Sequence, residues 1–282
     1  MTELMGLGTQ YPALALLPLL TFGAMLVEWL YVRIVLHDVR SHDLKETAAS
    51  IATTLGNQLM RPVSALLLAL PLYLGHQFRL FDIPSSNVLA LVGLFVLVDL
   101  VFYWFHRTEH RLRVLWASHA VHHSATSLNL TAAVRLGWTG TLSGEVLFVL
   151  LLPLTVLGFH PVTVMAMLAL NLLYQFFLHT AHAPRLGALE WVLNTPTHHR
   201  IHHAVNSSCL DKNFAGVFIV WDRMFGTFAS APPDEKLRFG LLTPLPSQNV
   251  LTVNFFEWRR LLRDLRQAQG LYRRLRILFG AP

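Results

Sequence analysis

Five long apolar stretches constrain this chain more than any other feature. They cover 12–36, 48–74, 87–105, 141–159 and 161–178, and roughly 20 mostly apolar residues suffice to cross a bilayer as a helix. The first contains Glu28 and Arg33, and the second is interrupted by Arg61 and Pro62. The last two are short. Gly158-Phe159-His160-Pro161 separates them, a turn signal, so they read as a hairpin that enters the bilayer and returns to the same side. Only 13% of residues are charged, against about a quarter in soluble domains, so much of the surface is expected to face lipid. The first run has no basic leader and no small-residue cleavage site after it, and reads as a retained span. The expected fold is an all-α integral membrane protein with four to five transmembrane or re-entrant helices.

Lys and Arg in short loops set orientation. Segment 33–45 carries Arg33, Arg40 and Lys45, and segment 106–135 carries Arg107, Arg111, Arg113 and Arg135. Segment 259–276 carries seven arginines, whereas 75–86 carries only Arg79. Five spans put the three rich segments on one side, with the N-terminus outside and the C-terminus in the cytoplasm. The net charge of +6 is concentrated late in the chain. That distribution suits a membrane surface rather than nucleic acid. Cys209 is the only cysteine, which excludes a disulfide within the chain and argues against a cysteine-ligated metal site.

Histidine is the residue in excess, with fifteen copies. His37, His42, His76 and His160 are scattered through loops. The other eleven fall on the cytoplasmic side in two sequence blocks. His106 and His110 form HxxxH, His119, His122 and His123 form HxxHH, and His199, His202 and His203 repeat HxxHH. His179 ends the fifth apolar run. Residues i, i+3 and i+4 share one helix face, so each motif presents converging imidazoles. A single histidine is usually a cap or a surface residue, and HxxxH alone says little. Two HxxHH motifs, one HxxxH and His179 on one side of a membrane point to a metal site. Nine imidazoles exceed the four ligands of a structural zinc, so two ions are expected, in a cytoplasmic helical cap. Imidazole suits iron, zinc, copper and nickel. No carboxylate stands in the motifs to bridge the ions, unlike the Glu-rich soluble di-iron bundles. Such a site is suited to O2 activation and attack on an unactivated C–H bond.

At these residues the chain resembles the fatty acid hydroxylase/sterol desaturase superfamily. The resemblance spans roughly 90–230. It rests on Asp99, on Tyr103-Trp104-Phe105-His106-Arg107-Thr108-Glu109-His110 and on Trp116-Ala117-Ser118-His119-Ala120-Val121-His122-His123-Ser124. It continues through Asn194-Thr195-Pro196-Thr197-His198-His199-Arg200-Ile201-His202-His203, Asp211-Lys212-Asn213-Phe214 and Trp221-Asp222-Arg223-Met224-Phe225-Gly226-Thr227-Phe228. Asn129-Leu130, Arg135 and Gln175-Phe176 before His179-Thr180 are similar to the branch that contains alkylglycerol monooxygenase. The resemblance implies a di-iron site and O2-dependent hydroxylation or desaturation of a lipid in the bilayer. The reductant is external, tetrahydrobiopterin in the ether-lipid branch. Arg111 stands where that branch carries Glu.

Around the motifs, His198 is either a tenth ligand or a hydrogen-bond partner of one, and His182 is expected outside the site. Asp99, seven residues before His106, is expected to accept from a ligating imidazole. Gln175 and Asn171 form a polar stripe that lines a substrate path or bonds between helices. Asn129 and Arg135 are assigned to the site periphery or to lipid headgroups, and Glu28 is paired with Arg61. The WDRMFGTF block reads as a structural lid over the cap. Residues 255–279 read as an interfacial basic helix. The organisation is therefore an N-terminal transmembrane region (1–85), a catalytic domain (86–230) and a connector with the basic helix (231–282). No flavin, haem or nicotinamide motif is present, so an external electron donor is expected. Three rivals stand beside the hydroxylase: a desaturase on the same site, a zinc-dependent membrane hydrolase with Glu109 as base, and a metal transporter. The transporter would need ligands on both membrane faces.

Overall fold

The computed structural model describes residues 16–38 and 42–282, apart from the side chains of 61–66, 68, 141–146 and 148. In chain order the helices are α1 (Leu17–Ile34), α2 (Leu44–Gln77), α3 (Val88–Arg111), α4 (Arg113–His123), α5 (Leu130–Ala133), α6 (Gly140–Leu157) and α7 (Pro161–Phe176). A 3-10 turn (Gly187–Trp191) leads to α8 (Pro196–His202), α9 (Val220–Met224), α10 (Val250–Gln267) and α11 (Leu271–Phe279). Among the described residues the only β pairing is two isolated bridges, Leu193 with Phe218 and Ala204 with Phe239.

Side-chain caps start the long helices. Asp43 accepts from Glu46 N at 2.9 Å to open α2, and Asn87 accepts from Ala90 N at 3.1 Å to open α3. Both satisfy an amide that has no partner within the helix. The α2 helix continues through Pro62 without a break. Gly158, at φ 135°, closes α6, and Pro161 opens α7. α2, α3, α6 and α7 pack around Leu72, Leu94, Val98, Phe102, Leu151, Leu154, Val164 and Leu168.

α1 and α3 are long and apolar enough to cross a membrane, and α7 is a shorter apolar helix. Only 11% of the apolar window of α1 and 33% of that of α3 is buried within the chain. A core helix of a soluble protein hides its apolar side chains. Here Leu19, Val27, Leu59 and Leu89 are exposed, and so extensive an apolar surface suits lipid rather than water.

Of three sequence expectations, two rest on side chains or residues outside the described ones and one changes. Glu28 accepts from Leu130 N at 2.7 Å and lies 3.5 Å from His42 Nε2, while the side chain of Arg61 lies outside the described residues. Arg40, used for orientation, also lies outside them. The C-terminal basic segment is two helices rather than one. Ala268 leaves the helical backbone at ψ 128° and Gly270 follows at φ 79°, a region open mainly to glycine.

Candidate metal centre

The histidines gather at one end of the bundle. α3 delivers His106 and His110 from its last two turns. Leu112, extended at φ −107° and ψ 116°, then redirects the chain into α4, which carries His119, His122 and His123. His179 sits three residues past α7. α8 supplies His199 and His202, and His203 caps it. His76 and His160 pack edge to face at 5.2 Å at the other end of α7.

The nine imidazoles divide into two groups. One contains His106, His110, His119, His123 and His202, and the other His122, His179, His199 and His203. Within each, one ring nitrogen per residue lies within 4.8 Å of the rest. Both HxxHH motifs divide alike. The i and i+4 members (His119 with His123, His199 with His203) stay together, and the i+3 member (His122, His202) crosses to the other group. The reason is helical geometry. At about 100° per residue, i and i+4 differ by about 40°, whereas i+3 and i+4 differ by about 100° and point to either side of the face.

Hydrogen bonds orient the rings. His106 Nδ1 donates to Phe214 O at 2.8 Å, His179 Nδ1 to Gln175 O at 2.9 Å and His202 Nδ1 to Lys212 O at 2.9 Å. His119 Nδ1 lies 3.1 Å from Glu109 Oε2, and His110 Nδ1 lies 3.7 Å from Asp211 Oδ1. A carbonyl only accepts, so the proton of a neutral ring sits on Nδ1 and the Nε2 lone pair faces inward. Two neutral lone pairs then meet where His106 Nε2 lies 3.1 Å from His119 Nε2. His119 Nε2 also has His123 Nε2 at 3.1 Å, and His179 Nε2 has His122 Nε2 at 3.0 Å and His199 Nε2 at 2.9 Å. One lone pair cannot bond two such neighbours. His110 Nε2 and His202 Nε2 are buried with no hydrogen-bond partner. Outward Nδ1–H donation with inward, crowded and partnerless Nε2 atoms fits a cation in each group.

Electrostatics agree. Burial first, and neighbouring imidazoles second, hold His122, His123, His199 and His203 well below the usual 6.5. Burial also brings His179 to about 4 and His202 to about 3. The rings are therefore neutral at pH 7, the form a metal binds.

The surroundings differ from expectation. Asp99 meets no imidazole. It accepts from Val217 N at 2.7 Å, Phe218 N at 2.9 Å, Trp221 Nε1 at 2.9 Å and Asn171 Nδ2 at 2.6 Å. Seven residues are about 10 Å of helix rise, which keeps its carboxylate away from His106. Gln175 continues this chain by donating to Asn171 Oδ1 at 2.6 Å, while its own carbonyl holds His179. Asn129 caps α5, accepting from Thr131 N at 3.0 Å and Thr131 Oγ1 at 2.6 Å. Arg135 is fully buried, donating to Ser124 Oγ and Gln248 Oε1 at 2.9 Å, which excludes a headgroup contact. His198 belongs to neither group; its Nδ1 lies 3.5 Å from Thr195 Oγ1. His182 also lies outside both. Asp222 accepts from Phe214 N and Ala215 N at 2.8 Å, so the WDRMFGTF block secures the strand of backbone whose carbonyls orient His106 and His202. Those carbonyls are the site contributors that side-chain patterns did not reveal. The left-handed Asp211 and Asn213, at φ 55° and 56°, mark the tight turn that presents them.

A helical bundle with exposed apolar helices and two buried histidine groups suited to metal ions defines a class of membrane-associated, histidine-rich proteins. Residues 91–227 match the family model for fatty acid hydroxylase, so this part of the chain carries that family's domain. It is 37% identical to alkylglycerol monooxygenase of Danio rerio over 83% of this chain and 51% of that protein. It is 26% identical to ornithine lipid hydroxylase OlsE of Rhizobium tropici over 73% of this chain and 60% of that protein. Identity to cholesterol 25-hydroxylase of Mus musculus is 30%, over 54% of this chain and 50% of that protein. The chain thus spans about half the length of these curated relatives. No solved structure matches it significantly.

Proposed function

We propose that the chain is a multi-pass integral membrane oxygenase that hydroxylates a lipid C–H bond at a di-iron site. The lipid is a fatty acyl, sterol/isoprenoid or ether lipid. The names of the relatives, alkylglycerol monooxygenase foremost, favour an ether lipid. The observation that carries the reading is the pair of histidine groups with Nε2 turned inward. His106, His110, His119, His123 and His202 would hold one ion, and His122, His179, His199 and His203 the other. Bound as a reducible pair, the ions would supply O2 activation and transfer of one oxygen atom to carbon, with an external donor, tetrahydrobiopterin or another reductant, furnishing electrons.

The chain's own groups have definable tasks. Phe214 O, Gln175 O and Lys212 O keep the Nδ1 protons of His106, His179 and His202, leaving Nε2 free to ligate. The Glu109 carboxylate does the same for His119 and raises its basicity. Burial keeps the remaining imidazoles unprotonated and excludes bulk water. The exposed apolar faces of α1 and α3 would place a lipid chain beside the bundle. In this arrangement the cap and the C-terminus face the cytoplasm. Residues 1–85 are the N-terminal membrane region, 86–230 the catalytic domain and 231–282 the connector with the basic hairpin. Asp99, Gln175 and Asn129 act as scaffold of that domain rather than on substrate. The engagement of Glu109 with His119 Nδ1 argues against its use as the water-activating base of a hydrolase. Metal analysis of the purified protein, combined with O2 uptake against a lipid panel under reducing conditions, tests the proposal. Two iron ions with lipid-dependent O2 uptake are expected. Zinc with uptake of no O2 after iron reconstitution would overturn it, and product analysis separates hydroxylation from desaturation.

A further inference from the structure

The C-terminal hairpin carries a feature that the oxygenase reading does not use. α10 and α11 leave between them an open groove of about 390 Å³. Leu262, Leu265, Leu271 and Leu275 line it, and Arg266 and Arg274 also face it. α11 has no buried residue, and Leu271 and Tyr272 are 72% and 79% exposed. Arg259, Arg263, Arg266, Arg273, Arg274 and Arg276 are all exposed. Asp264 is the only acidic residue between 259 and 282, and it is engaged by Arg113 and Arg263, neither of which lines the groove. An isolated leucine-lined groove in water is unfavourable, and unopposed arginines beside it select an anionic occupant.

We infer that this groove is a binding site for one anionic phospholipid of the membrane, with its phosphate between Arg266 and Arg274 and its acyl chain on the leucines. The inference rests on the membrane reading above but not on the oxygenase reading. The hairpin is tied to the helix that carries three of the nine histidines. Arg113, the first residue of α4, pairs with Asp264, and its backbone N–H donates to Gly280 O at 2.9 Å. A lipid seated in the groove therefore holds the cap against the bilayer through α4.

The test uses the full chain in nanodiscs. Cys209 is buried and is the only cysteine, so Cys209→Ser with Tyr272→Cys gives a single labelling position beside the groove for an environment-sensitive fluorophore. Adding phosphatidylglycerol to phosphatidylcholine discs should shift emission to the blue. Arg266→Gln with Arg274→Gln should raise the phosphatidylglycerol needed for half the shift about twenty-five-fold, at about fivefold per arginine. Arg259→Gln, outside the groove, should change it by less than the roughly fivefold expected for one groove arginine. Equal emission in both disc types overturns the inference, as does a shift that survives loss of both arginines. A shift produced by inorganic phosphate alone would overturn it in favour of a free-anion site. A protein that remains soluble without lipid or detergent would refute the membrane reading instead.

Discussion

Glu109 and Gly216 show how much of the centre depends on single atoms. The Glu109 carboxylate lies 3.1 Å from His119 Nδ1. Glu109→Gln removes the charge that strengthens this ring as a ligand, and metal affinity should fall about 10–100-fold with the fold retained, as measured by competition with a chelator. Gly216 passes so close to the Asp99 network that a Cβ would sit 2.6 Å from Asp99 Oδ1 and 2.9 Å from both Asn171 Oδ1 and Gln175 Nε2. These atoms are held by hydrogen bonds and cannot swing away. Gly216→Ala should therefore destabilise the protein by about 1–3 kcal/mol, visible as a lower Tm. At this scale the histidines were legible in the sequence, because HxxxH and HxxHH encode a shared helix face. The role of Asp99 was not. Its distance from His106 along α3 was apparent, but its four actual donors come from 171 and 217–221 and required the tertiary fold.

Elements carry the site by junctions. α3 and α4 meet at the single extended residue Leu112, which folds HxxxH back beside HxxHH. α2 packs against the segment leading into α6 where α2 has no side chain: a Cβ at Gly56 would run into the Trp138 indole, whose Nε1 donates to Thr53 O at 3.0 Å. Gly56→Ala should cost about 1–3 kcal/mol and lower the Tm, whereas Gly93→Ala, with open space around its Cβ position, should not. Apolar run length located these helices to within a few residues. The bend at 268–270 was missed because the amphipathic pattern continues across it, and only Gly270 hinted at the break. The turn at 211–214 contributes main chain rather than side chains to the centre. Its backbone carbonyls, which orient His106 and His202, leave no side-chain signature.

The whole molecule places neutral imidazoles inside an apolar scaffold. In the metal-free protein His179 is lowered to about 4 and His202 to about 3, and the other shifted rings of α4 and α8 are lowered as well. The unfolded chain takes up protons below about pH 6.5 that the folded chain refuses. Stability should thus be full above that value and fall as the pH drops through 6 to 5, measured by thermal unfolding of metal-free protein. Bound metal should delay this loss and be released at the same acid end, because protons compete for the ligands. The two-block histidine pattern, the family resemblance and the membrane character were all apparent before the fold. The split into groups of five and four was not, since it depends on how α4 and α8 face one another.

The central claim is that two ions occupy two distinct histidine groups. Metal stoichiometry of the iron-reconstituted protein, compared with His110→Ala and His179→Ala, tests it most directly. Two irons per chain in the parent, with each variant impaired at its own group and keeping one iron at the other, is the expected result. A parent that binds a single iron, or variants that each retain both, would contradict it.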